Sequence, residues 1–120
     1  MKYYTTEQIM DFEKDGDGWS VLSDGRRVKL GEGVVLGNGA SIGNGSNIGK
    51  FTIIGRGAII GRNVTIGKSA HIGNGVNIGD GSHIGVCSMI GRGSRIGVGI
   101  HISKNTIIGM GSSIFTDKTG

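Results

Sequence analysis

Residues 42–55 read Ile42-Gly43-Asn44-Gly45-Ser46-Asn47-Ile48-Gly49-Lys50-Phe51-Thr52-Ile53-Ile54-Gly55. A large aliphatic side chain returns at Ile42, Ile48 and Ile54, and the same clock runs outward in both directions. It starts at Leu30 and Leu36 and continues through Ile60, Ile66, Ile72, Ile78, Ile84, Ile90, Ile96, Ile102 and Ile108 to Ile114. No position in the series is missed. Self-similarity at a fixed period predicts a stack of like units and outranks any local helix or strand signal.

In each unit the first residue is aliphatic, the second almost always Gly, and the fifth small or β-branched. Alternation puts the fifth residue and the next aliphatic on one side of a short strand, with the sixth pointing the other way. The glycines between strands supply backbone that tolerates positive φ, which a sharp corner needs. Each unit is thus a short strand plus a corner, and only stacking can bury its aliphatic face.

The pattern resembles the bacterial hexapeptide-repeat transferases, whose motif is aliphatic, Gly/Ala/Glu/Asp, two free positions, a small or β-branched residue, and a free position. The resemblance implies an all-β, left-handed parallel β-helix: a triangular prism of about five coils, three units and eighteen residues to each. The left hand comes from the resemblance, since general crossover sterics favour the right. Three segments follow: a cap over 1–29, the β-helix over 30–115, and a polar tail over 116–120.

Glycine is 26 of 120 residues with no Pro, a composition that can signal disorder or collagen. Here Gly keeps the six-residue clock, so a packed fold is expected. The single Cys87 permits no intrachain disulfide and fits a reducing compartment. No apolar leader segment opens the chain and no run approaches membrane-spanning length, so a soluble, cytoplasmic protein is expected. Residues 1–29 carry five Lys/Arg and six Asp/Glu; residues 30–120 carry eight and three. The prism is therefore basic and suited to anionic partners, although solubility alone would also favour such a surface.

Thr6 to Lys14 reads as a short helix with Ile9, Met10 and Phe12 as its apolar residues. Asp15-Gly16-Asp17-Gly18 reads as a turn, because the spacing and closing Glu of a calcium loop are missing. Trp19–Ser23 and Arg26–Leu30 flank Asp24-Gly25, a hairpin signal. Helix and hairpin are expected to cover the first coil, with Trp19 as a packing residue. At the far end Ser103 and Phe115 replace the usual Gly, and no C-terminal helix is available as a cap.

Positions eighteen apart stack. The first outer face carries Val35, Ile53, His71, Met89 and Ile107; the second carries Ser41, Ile59, Asn77, Arg95 and Ser113. The third carries Lys29, Asn47, Thr65, His83 and His101. The first is an apolar strip, extended by Phe51 at its corner, and contiguous apolar surface marks an interface. The resemblance implies trimers with parallel axes, and Val35, Phe51, Ile53, Met89 and Ile107 are the expected trimer contact. Among the corners, Lys50, Lys68 and Lys104 share one edge, and Arg56 and Arg92 another. With corner N–H groups such ladders suit phosphates.

Most of the family resembled are acyltransferases that take acyl groups from coenzyme A or acyl carrier protein in a cleft between subunits. That chemistry needs a His general base and a donor for the developing oxyanion. His71, His83 and His101 are the histidines present. No carboxylate is placed to orient them: Asp80 is three residues before His83, across a corner. The chain also lacks the loop insertion and the His-Asp or Asn-His dipeptides in which the family's bases sit.

No metal site is expected. The γ-type carbonic anhydrases share the prism and bind zinc through three histidines, two of them five residues apart, whereas these lie twelve and eighteen apart. The sequence supports first a homotrimer binding an anionic nucleotide-like or coenzyme A-like molecule between subunits, without efficient catalysis. Arg56, Arg92, Arg95, Lys68 and Lys104 would contact that ligand, with His71, His83 and His101 nearby. The alternative is a coenzyme A-dependent acyltransferase with His71 or His83 as base; a purely structural trimer is the third reading. Neither a nucleic acid polymer nor a membrane is expected as a partner.

Overall fold

The structure, a computed structural model, describes residues 19–21 and 25–116. The helix expected over residues 6–14 lies outside them. From Arg27 the backbone forms one strand at Arg27–Leu30 and then two-residue strands from Val35–Leu36 to Ser113–Ile114, one in each hexapeptide. Every parallel pairing joins residues eighteen apart, as Lys29 with Asn47, Val35 with Ile53 and Ser41 with Ile59. The pairings sort into three parallel sheets, the walls of a β-solenoid of about five coils. Wall one holds the strands starting at Val35, Ile53, His71, Met89 and Ile107; wall two runs from Ser41 to Ser113, and wall three from Arg27 to His101.

The repeated aliphatics fill the interior. Ile48, Ile54, Ile60, Ile66, Ile72, Ile78, Ile84 and Ile102 are fully buried, with Val64 and Val76 from the fifth position beside them. Leu36 and Ile114, in the first and last coils, are only partly covered, because each has a neighbouring coil on one side only.

Buried hydroxyls at the fifth position tie coils together. Ser82 Oγ donates to the Gly97 carbonyl at 2.7 Å and accepts from the Ile100 N–H at 3.0 Å. Ser46, Ser88 and Ser94 make the same two bonds to the coil above. Ser82→Ala should therefore cost about 1–3 kcal/mol, the penalty for stranding buried backbone groups. Chemical denaturation measures it, and a loss no larger than that of an exposed Ser113→Ala control would contradict the assignment.

The glycines divide into two sets with different reasons. Those in the fourth position, such as Gly75 at φ +69°, hold the left-handed backbone that the corner requires. Those in the second position do not; they lie under the next coil. The sequence assigned both sets to corner conformation, and the structure corrects that for the second position. The left-handed corner is also not confined to Gly. Phe51, Asn63, Ser69, Cys87 and Asn105 adopt it, and four of these stand on the edge between walls three and one. The Phe51 ring lies over Gly33 of the coil below, where a Cβ would collide with it.

Ser20 and Val21 pair antiparallel with Val28 and Arg27, which confirms the hairpin and adds a strand to the lower edge of wall three. Trp19 packs under the Arg27 guanidinium at 5.5 Å and the Lys29 ammonium at 5.9 Å. Arg26 Nη1 donates to the Ile42 carbonyl at 2.7 Å. Higher up, the matching carbonyls of Ile60 and Ile78 accept from Gly43 and Gly61 of the coil below, so the guanidinium replaces a missing coil. In the last coil a Cβ on Gly109 would meet nothing nearer than Ser112 Oγ at 3.9 Å.

Candidate functional site

Wall one is the face that the structure singles out. Its outward side chains alternate with the buried isoleucines, so the column Val35, Ile53, His71, Met89 and Ile107 is exposed along its length. Exposure rises from 41% at Ile53 to 76% at Ile107, and Phe51 adds an exposed ring at the adjoining corner. Two basic edges border the wall. Lys50, Lys68 and Lys104 stand on the edge toward wall three, and Arg56 and Arg92 on the edge toward wall two.

A concavity of about 500 Å³ opens on the upper half of this wall. Met89, Ile107 and Met110 give it apolar sides, His71 and Arg92 are its polar side chains, and Gly73, Gly91 and Gly109 form part of its floor. Gly73 and Gly91 are glycine because those positions carry the close coil-to-coil approach. Eighteen-residue stacking placed Met110 above Arg92, but only the structure shows it lining the same hollow as His71.

The remaining candidates stand elsewhere in a single chain. Arg95 is on wall two, His83 and His101 on wall three, and Lys68 and Lys104 on the far edge of wall one. Arg56 shares the Arg92 edge, two coils lower. His83 and His101 are register partners with parallel rings, centroids 4.9 Å apart. Among the described residues no carboxylate hydrogen-bonds to His71 or His83, and no three His, Cys, Asp or Glu side chains converge as a metal site.

Asp80 is engaged elsewhere. Its Oδ1 accepts the Arg62 backbone N–H at 2.8 Å, and its Oδ2 meets the Arg62 guanidinium at 3.1 Å. The backbone bond first, and then the guanidinium, hold the carboxyl below its ordinary value of 3.8. Asn74 caps the Arg56 N–H in the same way at 2.8 Å. A carboxyl whose folded pKa is depressed stabilises the fold above its unfolded pKa, and that contribution disappears as pH falls through the lowered value. Asp80→Asn keeps an acceptor for the Arg62 N–H, so it should change stability little at neutral pH and flatten the loss below about pH 4. Melting temperatures of both proteins across the acid range test this, and parallel curves would contradict it.

Comparison with known proteins fits this geometry. Residues 57–92 match the family model described as bacterial transferase hexapeptide (six repeats). A His→Ala variant of GDP-perosamine N-acetyltransferase from Caulobacter crescentus, in complex with CoA and GDP-perosamine, superposes with a TM-score of 0.75. Its sequence identity is 33% over 76% of this chain and 43% of that one. The acetyltransferase domain of PglB from Neisseria gonorrhoeae, in complex with acetyl coenzyme A, gives a TM-score of 0.69. It is 22% identical over 72% of this chain and 44% of that one, a likeness of fold alone. The chain spans less than half the length of either solved protein, and no curated protein sequence matches it.

Repeat, walls and corners define a parallel β-solenoid of transferase-type hexapeptides. Its repeat is the one that the bacterial transferase hexapeptide model describes, matched over residues 57–92, and its fold is shared with the solved acetyltransferase from Caulobacter crescentus. Among the described residues no helix is long and apolar enough to cross a membrane.

Proposed function

We propose that this chain forms a coenzyme A-dependent acyltransferase that assembles as a homotrimer through wall one, with acyl-coenzyme A held in the clefts between subunits. The observation that carries the reading is the apolar hollow holding His71 and Arg92, on the fold of an acetyltransferase 33% identical to this chain. Those relatives favour this reading over a ligand-binding trimer without catalysis.

The residues present suit the cofactor. Met89, Ile107 and Met110 offer apolar walls to the acyl-pantetheine arm, while Arg92, with Arg56 below it, offers guanidinium groups to its phosphates. His71 is the base of choice because it lies in that hollow. Its imidazole would take a proton from an acceptor amine or hydroxyl as that group attacks the thioester carbonyl. The carbon–sulfur bond then breaks, coenzyme A leaves as a thiolate, and the proton on His71 can neutralise it. A nucleotide-linked amino sugar is the first acceptor to assay, since the Caulobacter relative was captured with one.

The decisive experiment measures thiol release from acetyl-coenzyme A against a panel of amine and hydroxyl sugar acceptors. His71→Ala should lower turnover about 10²–10⁴-fold, the contribution of a positioned base. Loss on His83→Ala instead would move the base to wall three. Binding of coenzyme A without turnover on any acceptor would overturn the catalytic reading in favour of a ligand-binding trimer. Sedimentation equilibrium checks the assembly: three chains are expected for the native protein and single chains for Ile53→Asp/Met89→Asp.

A further inference from the structure

Wall three carries a feature that acyl transfer does not use. His83 and His101 are exposed, sit on adjacent parallel strands in direct register, and present their rings face to face, with centroids 4.9 Å apart and planes within 2° of parallel. Two imidazoles held side by side on paired strands already share one face before any metal arrives. The geometry points to a surface binding site for a late divalent transition metal, bridged by His83 and His101 and completed by water.

Metal–nitrogen bonds of about 2.0–2.1 Å put two neighbouring ligand nitrogens roughly 3 Å apart. The rings therefore need only tilt toward each other at their tips, a side-chain rotation that leaves the paired backbones in place. Each imidazole has two nitrogens, so one can ligate while the other keeps any hydrogen bond it already makes. Strand register fixes both Cα positions, which removes most of the ordering cost of bringing two ligands together. Imidazole donors select nickel, copper or zinc, whereas calcium and magnesium demand oxygen ligands.

Neighbouring charge limits the affinity. Lys68 and Lys104 stand on one adjoining edge, and on the other Asp80 is already paired with Arg62. Among the described residues no unpaired carboxylate stands beside the two rings to offset the lysines, so binding is weak. The sequence assigned no metal because separations of twelve and eighteen residues do not match the three-histidine zinc site of the γ-type carbonic anhydrases; an open site completed by water needs only the pair.

Isothermal titration of the tag-free chain with nickel or zinc chloride tests the site. One ion per chain is expected, and no heat with calcium. His83→Asn or His101→Asn should weaken binding by at least the roughly tenfold that loss of a supporting partner alone produces. His71→Asn should leave the titration unchanged. Cupric ion should show an electron paramagnetic resonance pattern from two equatorial nitrogens, reduced to one in either variant. Binding that survives His83→Asn/His101→Asn, or no binding at millimolar metal, would overturn the proposal. Neither outcome depends on acyl transfer, which is read separately by thiol release.

Discussion

Gly73→Ala is expected to remove about 3 kcal/mol or more of stability, the upper range for overpacking a rigid interior. A Cβ at this position would lie 2.5 Å from Arg92 N, 2.8 Å from Arg92 Cα and 2.9 Å from Ile90 O. All three are backbone atoms, so no side chain can move aside. The coil above would have to lift, yet it is held by the Gly73 N–H bond to the Ile90 carbonyl at 2.8 Å. Two residues on, Gly75→Ala places its Cβ in open space and meets only the left-handed backbone, at a cost of roughly 1–2 kcal/mol. Asn63 and Ser69 already carry side chains in that conformation. Denaturant midpoints of the two variants compare the effects directly, and equal losses would refute the division of the glycines into two sets.

Ile84→Ala should cost about 2–5 kcal/mol, the range for truncating a fully buried aliphatic. Ile84 has no solvent exposure and stacks in register between Ile66 below and Ile102 above, both also buried. The cavity cannot collapse easily, because closing it would drag three hydrogen-bonded strands out of register. Ile107→Ala is the matched control. At 76% exposure it should change the stability of a single chain by less than about 0.5 kcal/mol while weakening self-association. A small loss at Ile84, or a large one at Ile107, would mean that the inward and outward columns have been exchanged.

Both expectations show how far the numbering alone reaches. The series from Leu30 to Ile114 defined the six-residue unit, the resemblance to hexapeptide-repeat transferases implied three units to a coil, and that coil length defined which outward residues stack. Val35, Ile53, His71, Met89 and Ile107 could be placed on one wall before any coordinate existed. The antiparallel pairing of Ser20–Val21 with Arg27–Val28 was legible for a similar reason, since a hairpin signal is local. The Arg62–Asp80 pair was within reach of the same eighteen-residue rule, because the two residues occupy one corner of successive coils.

Other features depended on distances that a period does not contain. Second-position glycines looked like corner glycines, since both remove a Cβ; only the separation of neighbouring coils shows that one set makes room and the other makes a turn. The hollow above His71 depends on where the Met110 and Arg92 side chains stand at its rim, and the His83–His101 stack on a choice of side-chain rotation.

By itself, then, the sequence determined the strand-and-corner unit and the inward and outward sides of each strand, because a strict six-residue repeat returns one aliphatic to the buried side every time; the apolar wall followed once the resemblance supplied three units to a coil. Tertiary structure decided which exposed groups share a hollow, which rings lie face to face and which glycines cannot be replaced. Those depend on separations of a few ångströms between residues about eighteen apart in the chain, and such separations exist only once the coils are stacked.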